Sequence, residues 1–216
     1  MRLIPLVIFS LLIGPSIGSS ATERLFDDRA AFTSQTARFT TETFNATRND
    51  RGFAGGSLAF DGFEIRHQGG LGAPFNRLDT PPEEDPLTSI DGSPFLYVGL
   101  APGDRVIFQF DAPITAFAAD FAGVDDEGAR VVTIAANGGS EIAHGVAQRI
   151  SFFGLISDTP FSRVTVTGHD AADLGIGIDN ISFGAAVPSV PLPGALPLAL
   201  GMLGLLGLLG WRRRQG

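Results

Sequence analysis

The sequence predicts an all-β fold, an antiparallel jelly-roll-like β-sandwich, set between two apolar terminal segments. Three observations carry this. From residue 94 onward, short alternating segments recur with turn residues between them. Eighteen phenylalanines, mostly on strand faces, supply the large groups that close two sheets over one another. Outside the termini no long stretch holds a helical period, and no repeat of the solenoid kind is present.

The elements follow in order. Residues 1–21 form a signal peptide. Arg2 is a one-residue basic region, residues 3–14 are a short apolar core, and Ser19-Ser20-Ala21 offers small residues for cleavage after Ala21. Residues 22–186 form the exported domain, about 165 residues, enough for one hydrophobic core. Asp27-Asp28 caps a short helix running to about Gln35, with Leu25 and Phe32 placed to pack together. Residues 39–44 read as a first strand and residues 45–56 as loop. Residues 57–67 form a hairpin or bulged strand, with Asp61-Gly62 at the switch. Residues 69–91 are irregular, since prolines and charges in Pro81-Pro82-Glu83-Glu84-Asp85-Pro86 forbid a sheet interior. Strands then follow at 95–100, 104–110, 114–123, 130–136, 141–146, 149–156, 161–167 and 176–183. Val106, Phe108 and Phe110 share one face of their strand, and Phe117, Ala119 and Phe121 share one face of theirs. Asn137-Gly138-Gly139 is a hairpin turn.

Charge narrows the function classes. The domain holds all 23 acidic residues and eleven arginines, no lysine, and a formal charge of −12. Such a surface repels nucleic acid and anionic lipid, and is compatible with calcium or neutral polysaccharide. Cysteine is absent, so disulfides and thiolate metal sites are excluded.

Few residues carry recognisable chemistry. At Asp179-Asn180 the last strand changes its inward face, from Ile176 and Ile178 to Ile181 and Phe183. A bulge with Asp179 accepting backbone N–H groups explains this. The functional alternative is a calcium ion held by Asp179 and Glu42, because hard cations take carboxylate oxygens. Asp125-Asp126-Glu127-Gly128 lacks the alternate-residue spacing of an EF-hand and reads as a solvated turn. His67, His144 and His169 stand at no metal-ligand spacing, and no catalytic motif is present. No catalytic or cofactor-binding residue is singled out. With 23 acids some glycosidase-like carboxylate pair is inevitable, but none stands apart.

The C-terminal 187–216 segment speaks of address. Residues 194–211 are eighteen uncharged residues, about 27 Å as a helix, close to the hydrocarbon thickness of a bilayer. Trp211 falls at the interface, and Arg212, Arg213 and Arg214 act as a stop-transfer cluster. A proline motif precedes the helix: Val190, Pro191, Leu192, Pro193 and Gly194. This order of parts resembles the PEP-CTERM class of bacterial sorting signals, in particular its Val-Pro-Leu-Pro-Ala variant, with Gly194 in place of Ala. The resemblance implies a Gram-negative bacterium and partners in signal peptidase and an exosortase-type enzyme. It also implies an inner-membrane single-pass intermediate with a cytoplasmic C-terminus, then release to the cell surface or extracellular matrix. The domain, through residues 26–32, Phe152-Phe153-Gly154-Leu155, Pro160-Phe161-Ser162 and residues 178–183, resembles the β-sandwich ectodomains of such proteins. That implies a fold similar to carbohydrate-binding modules.

The expectation is therefore a non-catalytic surface or matrix protein, with exopolysaccharide as a candidate partner and calcium as the one candidate cofactor. A secreted glycan hydrolase and a permanently anchored structural protein are the alternatives.

Overall fold

In the computed structural model, residues 22–70, 75–80, 89–123, 130–139, 142–146, 150–168 and 174–187 are described. They form twelve strands and one short helix. In chain order these are β1 (Glu23–Phe26), α1 (Arg29–Ser34), β2 (Thr36–Glu42), β3 (Arg51–Gly52), β4 (Ser57–Phe60), β5 (Phe63–Gln68) and β6 (Arg77–Asp79). They continue as β7 (Phe95–Leu100), β8 (Arg105–Gly123), β9 (Arg130–Ala136), β10 (Ile142–Val146), β11 (Ser151–Gly168) and β12 (Leu174–Ala186).

Every strand pair is antiparallel, and two long strands organise the rest. β8 has 19 residues and β11 has 18. They pair with each other at both ends, from Phe121↔Ser151 to Arg105↔Thr167, with register shifts between Ile156 and Arg163. The exposed residues 111–113 and 158–160 mark where the two strands bend together. Each corner holds a proline, Pro113 and Pro160, which has no N–H to give to a ladder and is tolerated where pairing lapses. The bend divides one sheet into two layers. One layer runs β4–β5–β8–β11–β9–β10, using residues 105–110 of β8. The other runs β1–β11–β8–β12, using residues 116–123 of β8, and extends through β7, β6 and β3. β2 pairs with the second half of β12.

The core lies between the layers. Val106, Phe108 and Phe110 enter it from one half of β8, and Phe117, Ala119 and Phe121 from the other. The parity of inward residues changes across the corner, so the same strand faces inward on both sides of its bend. Phe63 stacks on Phe60 with centroids 5.1 Å apart and meets Phe183 edge-on at 5.2 Å. Such ring pairs add about 0.5–1.5 kcal/mol each beyond area burial.

A second, smaller cluster lies on the outside of the β1–β12 layer. Phe32 of α1, 1% exposed, packs on Ala116, Ala118 and Ile156, flanked by Phe26 and Phe152. Asp28 caps α1 by accepting from the Ala31 N–H at 2.7 Å. The partner of Phe32 is Phe26, with centroids 5.8 Å apart, rather than Leu25, which is 53% exposed. Gly154 permits the close approach. A Cβ there would stand 2.8 Å from the Phe32 ring and 3.2 Å from Phe26.

The hairpin at residues 57–68 forms with Gly62 at φ +86°, and Asn137-Gly138 turns with both φ positive, as a primed two-residue turn requires. Two expectations are corrected. The jelly-roll of separate strands at 104–110 and 114–123, and at 149–156 and 161–167, gives way to two continuous bent strands shared by both layers. The architecture is all-β, antiparallel and sandwich-like. The transmembrane helix is corrected too: among the described residues the one helix has six residues, and none is long and apolar enough to cross a membrane. The helix expected at 194–211, the motif Val190, Pro191, Leu192, Pro193 and Gly194, and the cluster Arg212, Arg213 and Arg214 lie outside the described residues. So do the leader at 1–21 and Asp125-Asp126-Glu127-Gly128. The inner-membrane intermediate and the exosortase-type enzyme, signal peptidase, exopolysaccharide and inner-membrane partnerships are corrected with the transmembrane helix, since no helix among the described residues supports them.

Candidate functional site

The sequence singled out Asp179, and the structure places it in a β-bulge. Asp179 faces Asp120 across the β12–β8 ladder, and the register then slips before Ser182↔Ala118. Asn180 takes up the extra residue with φ +53°. Its N–H donates to Asp179 Oδ1 at 2.6 Å, and Ser93 Oγ lies 3.4 Å from Oδ2. Asp179 is fully buried. Burial first, and then the nearby Asp91 and Asp120 charges, push its carboxyl up to about 7, against the hydrogen bonds from Asn180 and Ser93.

The second carboxylate of this pair is held from above by α1. Asp120 Oδ2 lies 2.9 Å from Arg29 Nη2 and accepts from Asn180 Nδ2 at 3.0 Å. Arg29 also donates to Ser182 Oγ and to the Asn180 carbonyl, and its guanidinium lies 4.7 Å over the Phe152 ring. Directly opposed residues of an antiparallel pair hold side chains about 5 Å apart, a spacing that suits a retaining glycosidase. Accessibility decides against that use. Asp179 is 0% and Asp120 9% exposed, and both are engaged beneath α1 and the 89–93 loop.

Glu42 and Asp179 are not brought together. Glu42 opposes Ile181, a core residue, whereas Asp179 opposes Asp120 on the outer face. The register thus puts the two carboxylates on opposite faces of the sheet. Glu42 instead accepts the Phe44 N–H at 2.6 Å, bracing a buried phenylalanine that sits at φ +56°. No group of three or more His, Asp or Glu side chains among the described residues is placed to hold a metal ion.

His67 is likewise a core residue. Its Nδ1 accepts from the Gly55 N–H at 3.4 Å, which leaves the proton on Nε2, 3.9 Å from Asp104 Oδ2. Burial lowers its pKa, with the Asp104 charge opposing, so the ring stays neutral near pH 7.

The surface that sequence reasoning missed is the outer face of the β5–β8–β11–β9 layer. Its residues are the complement of the inward set: Glu64, Arg66 and Gln68 on β5, Arg105, Ile107 and Gln109 on β8, and Arg163, Thr165 and Thr167 on β11. Pairing aligns them in rows. Gln68, Arg105 and Thr167 form one row, with Thr133 of β9 beyond. Arg66, Ile107, Thr165 and Ala135 form the next. A hollow of about 260 Å³ lies on this face, lined by Gln68, Arg105, Arg163, Thr165 and Thr167 over a floor of Ile107 and Ala135. The alternation Arg105-Ile107-Gln109 and Arg163-Thr165-Thr167 was the available signal. It became meaningful only once these strands proved adjacent. A larger hollow, about 540 Å³, lies beside the corner and is bounded by Thr22 and Val187, the first and last described residues.

No protein-family model matches the chain, and no curated protein matches it. Among solved structures, the chain is similar to two variants of CBM29-2, a family 29 carbohydrate binding module. Their TM-scores are 0.41 and 0.42, each with 14% identity over 72% of this chain and 99% of that chain. It is also similar to the catalytic domain of a GH87 alpha-1,3-glucanase in complex with tetrasaccharides, with TM-score 0.37 and 16% identity over 79% of this chain. The chain spans 29% of that glucanase chain. At scores and identities this low, the likenesses carry no correspondence of sites.

Proposed function

We propose that this chain is an exported, non-catalytic carbohydrate-binding protein, and that the outer face of the β5–β8–β11–β9 layer is its ligand surface. One observation carries the reading: polar side chains stand in register across adjacent strands and line a hollow with an apolar floor. Sugars present both chemistries at once. Their hydroxyls need donors and acceptors of the Gln, Thr and Arg kind, and their C–H faces need an apolar floor of the Ile107 and Ala135 kind. Strand-borne side chains are held without the ordering cost of a loop. The apolar leader at residues 1–21 supports export. The non-catalytic part rests on the sealing of Asp120 and Asp179, the one opposed carboxylate pair described above.

Binding of the full-length chain to a panel of neutral and acidic polysaccharides, measured by affinity electrophoresis, tests this. At least one polysaccharide should retard the protein, and Thr165→Tyr, which fills the hollow, should abolish the retardation. Release of reducing sugar during the assay would replace the binding reading with a hydrolase.

A further inference from the structure

The hollow on the open face carries unspent positive charge. Arg105 and Arg163 both line it and both are exposed. Elsewhere among the described residues Arg29, Arg66 and Arg77 are engaged by carboxylates, whereas Arg24, Arg38, Arg48 and Arg51 form no ion pair; what sets Arg105 and Arg163 apart is that they share one hollow. Among the described residues neither Arg105 nor Arg163 has an ion pair or a side-chain hydrogen bond. In a domain where acids outnumber arginines 23 to eleven, two arginines left unpaired in one hollow call for a partner from outside.

We propose that the hollow takes a carboxylate-bearing polysaccharide, a polyuronate, with Arg105 and Arg163 each holding one carboxylate. The inference rests on the carbohydrate-binding reading above and names its substrate class. Arg105 opposes Thr167, and Arg163 lies four residues away along β11, so the two stand about 13 Å apart along the strands. That distance exceeds a single sugar ring and suits groups spaced along a polymer. The planar guanidinium fork matches a carboxylate with two parallel hydrogen bonds. Between the arginines lie Thr165 and Ile107, a hydroxyl and an apolar floor for the sugar in the middle. The remaining charge of the domain sets the choice among anions. Two isolated cations can meet singly charged groups at intervals. A chain with several sulfates per sugar, or a nucleic-acid duplex with one charge per about 1.7 Å, would bring more charge per unit length into a domain of formal charge −12.

The test compares polygalacturonate with its fully methyl-esterified form, which keeps the backbone and loses the charge. Titration calorimetry on the full-length chain, at low and at near-physiological salt, reads the affinity. Polygalacturonate should bind about tenfold or more tighter than the ester, with the difference shrinking as salt rises. Arg105→Gln and Arg163→Gln should each weaken polygalacturonate binding about tenfold, while Arg38→Gln on β2 leaves it unchanged. Both target arginines are exposed, and a melting curve for each variant verifies that it is folded. Equal affinity for the two polymers, insensitive to either variant, overturns the inference and leaves the carbohydrate reading standing. Tighter binding of dextran sulfate than of polygalacturonate overturns the commitment to carboxylates. Absence of binding to every polymer overturns the carbohydrate reading and the inference with it.

Discussion

The two outer faces of the sandwich are built by the same two strands and came out as opposites. On one side of the corner, β8 and β11 present Ala116, Ala118, Gly154 and Ile156 outward, and α1 seals them with Phe32. On the other side the same strands present Arg105, Gln109, Arg163 and Thr165, and the face carries an open hollow. Side-chain size explains the difference. A helix can lie on a strand pair only where the outward residues are small enough to let its own side chain reach the sheet. Alanine and glycine at alternate positions provide that, and a Cβ at Gly154 would already meet the Phe32 ring. Arginine and glutamine instead hold neighbours off and keep their ends in water. Covered, the outer face becomes a second core that contributes to stability. Uncovered, it is free to bind.

Mutation of the cover tests the first half of this contrast and carries the largest expected effect. Phe32→Ala should lower stability by about 3–5 kcal/mol in urea denaturation, as for other buried phenylalanines. A loss below about 1 kcal/mol would make α1 a loose appendage rather than a seal.

Asp179 sharpens the contrast through pH. An unfolded aspartate titrates near 3.9, whereas this one titrates at about 7 under its cover. Between those values the native state holds a proton that the unfolded state has released. Stability therefore falls as pH rises from about 4 to about 7 on this group's account, and is level above. Asp179→Asn removes the titration and keeps an acceptor for the Asn180 N–H. Its melting temperature should match the parent near pH 4 and exceed it at pH 8, where the gain is about 2–4 kcal/mol. A difference independent of pH would mean that the bulge holds Asp179 ionised throughout.

The open face should be nearly silent in stability. Arg105→Gln and Arg163→Gln are expected to shift unfolding by less than about 0.5 kcal/mol, since they are exposed and break no described contact. A larger loss in denaturant melts would show that the arginines hold the sheet together and are not reserved for a ligand.

The inward pattern was legible in the sequence because burial imposes a period of two that survives without knowledge of partners. Val106, Phe108 and Phe110, then Phe117, Ala119 and Phe121, were readable, and so was the face change at Asp179-Asn180. The corners were not. Pro113 and Pro160 signal a strand end, because proline cannot give to a ladder, and only the exposed bend makes them compatible with one continuous strand. The register that separates Glu42 from Asp179 was also out of reach, since it depends on pairing between strands some 140 residues apart. The open face was hidden for the same reason: Arg105 and Arg163 lie far apart in the chain, and neither is unusual alone. Val190, Pro191, Leu192, Pro193 and Gly194 were the most recognisable residues in the sequence, yet they lie outside the described residues and inform none of this geometry.

The bent strands also determine how the molecule comes apart. Each of β8 and β11 is a member of both layers, so the hydrogen-bond ladder runs unbroken in sequence from one layer to the other. A layer cannot slip its register or peel away while its continuation stays in place. Amides of Ile107 and Ala118, on opposite sides of the corner, should therefore exchange with deuterium in one cooperative opening. Pairing elsewhere in the sheet is also remote, Glu23 of β1 with Ser157 of β11 and Glu42 of β2 with Ile181 of β12. Such a topology closes long loops before its contacts repay them, which places folding in the milliseconds-to-seconds range of non-local β domains. A chain built this way gives up speed of assembly for a sandwich without a seam between its halves.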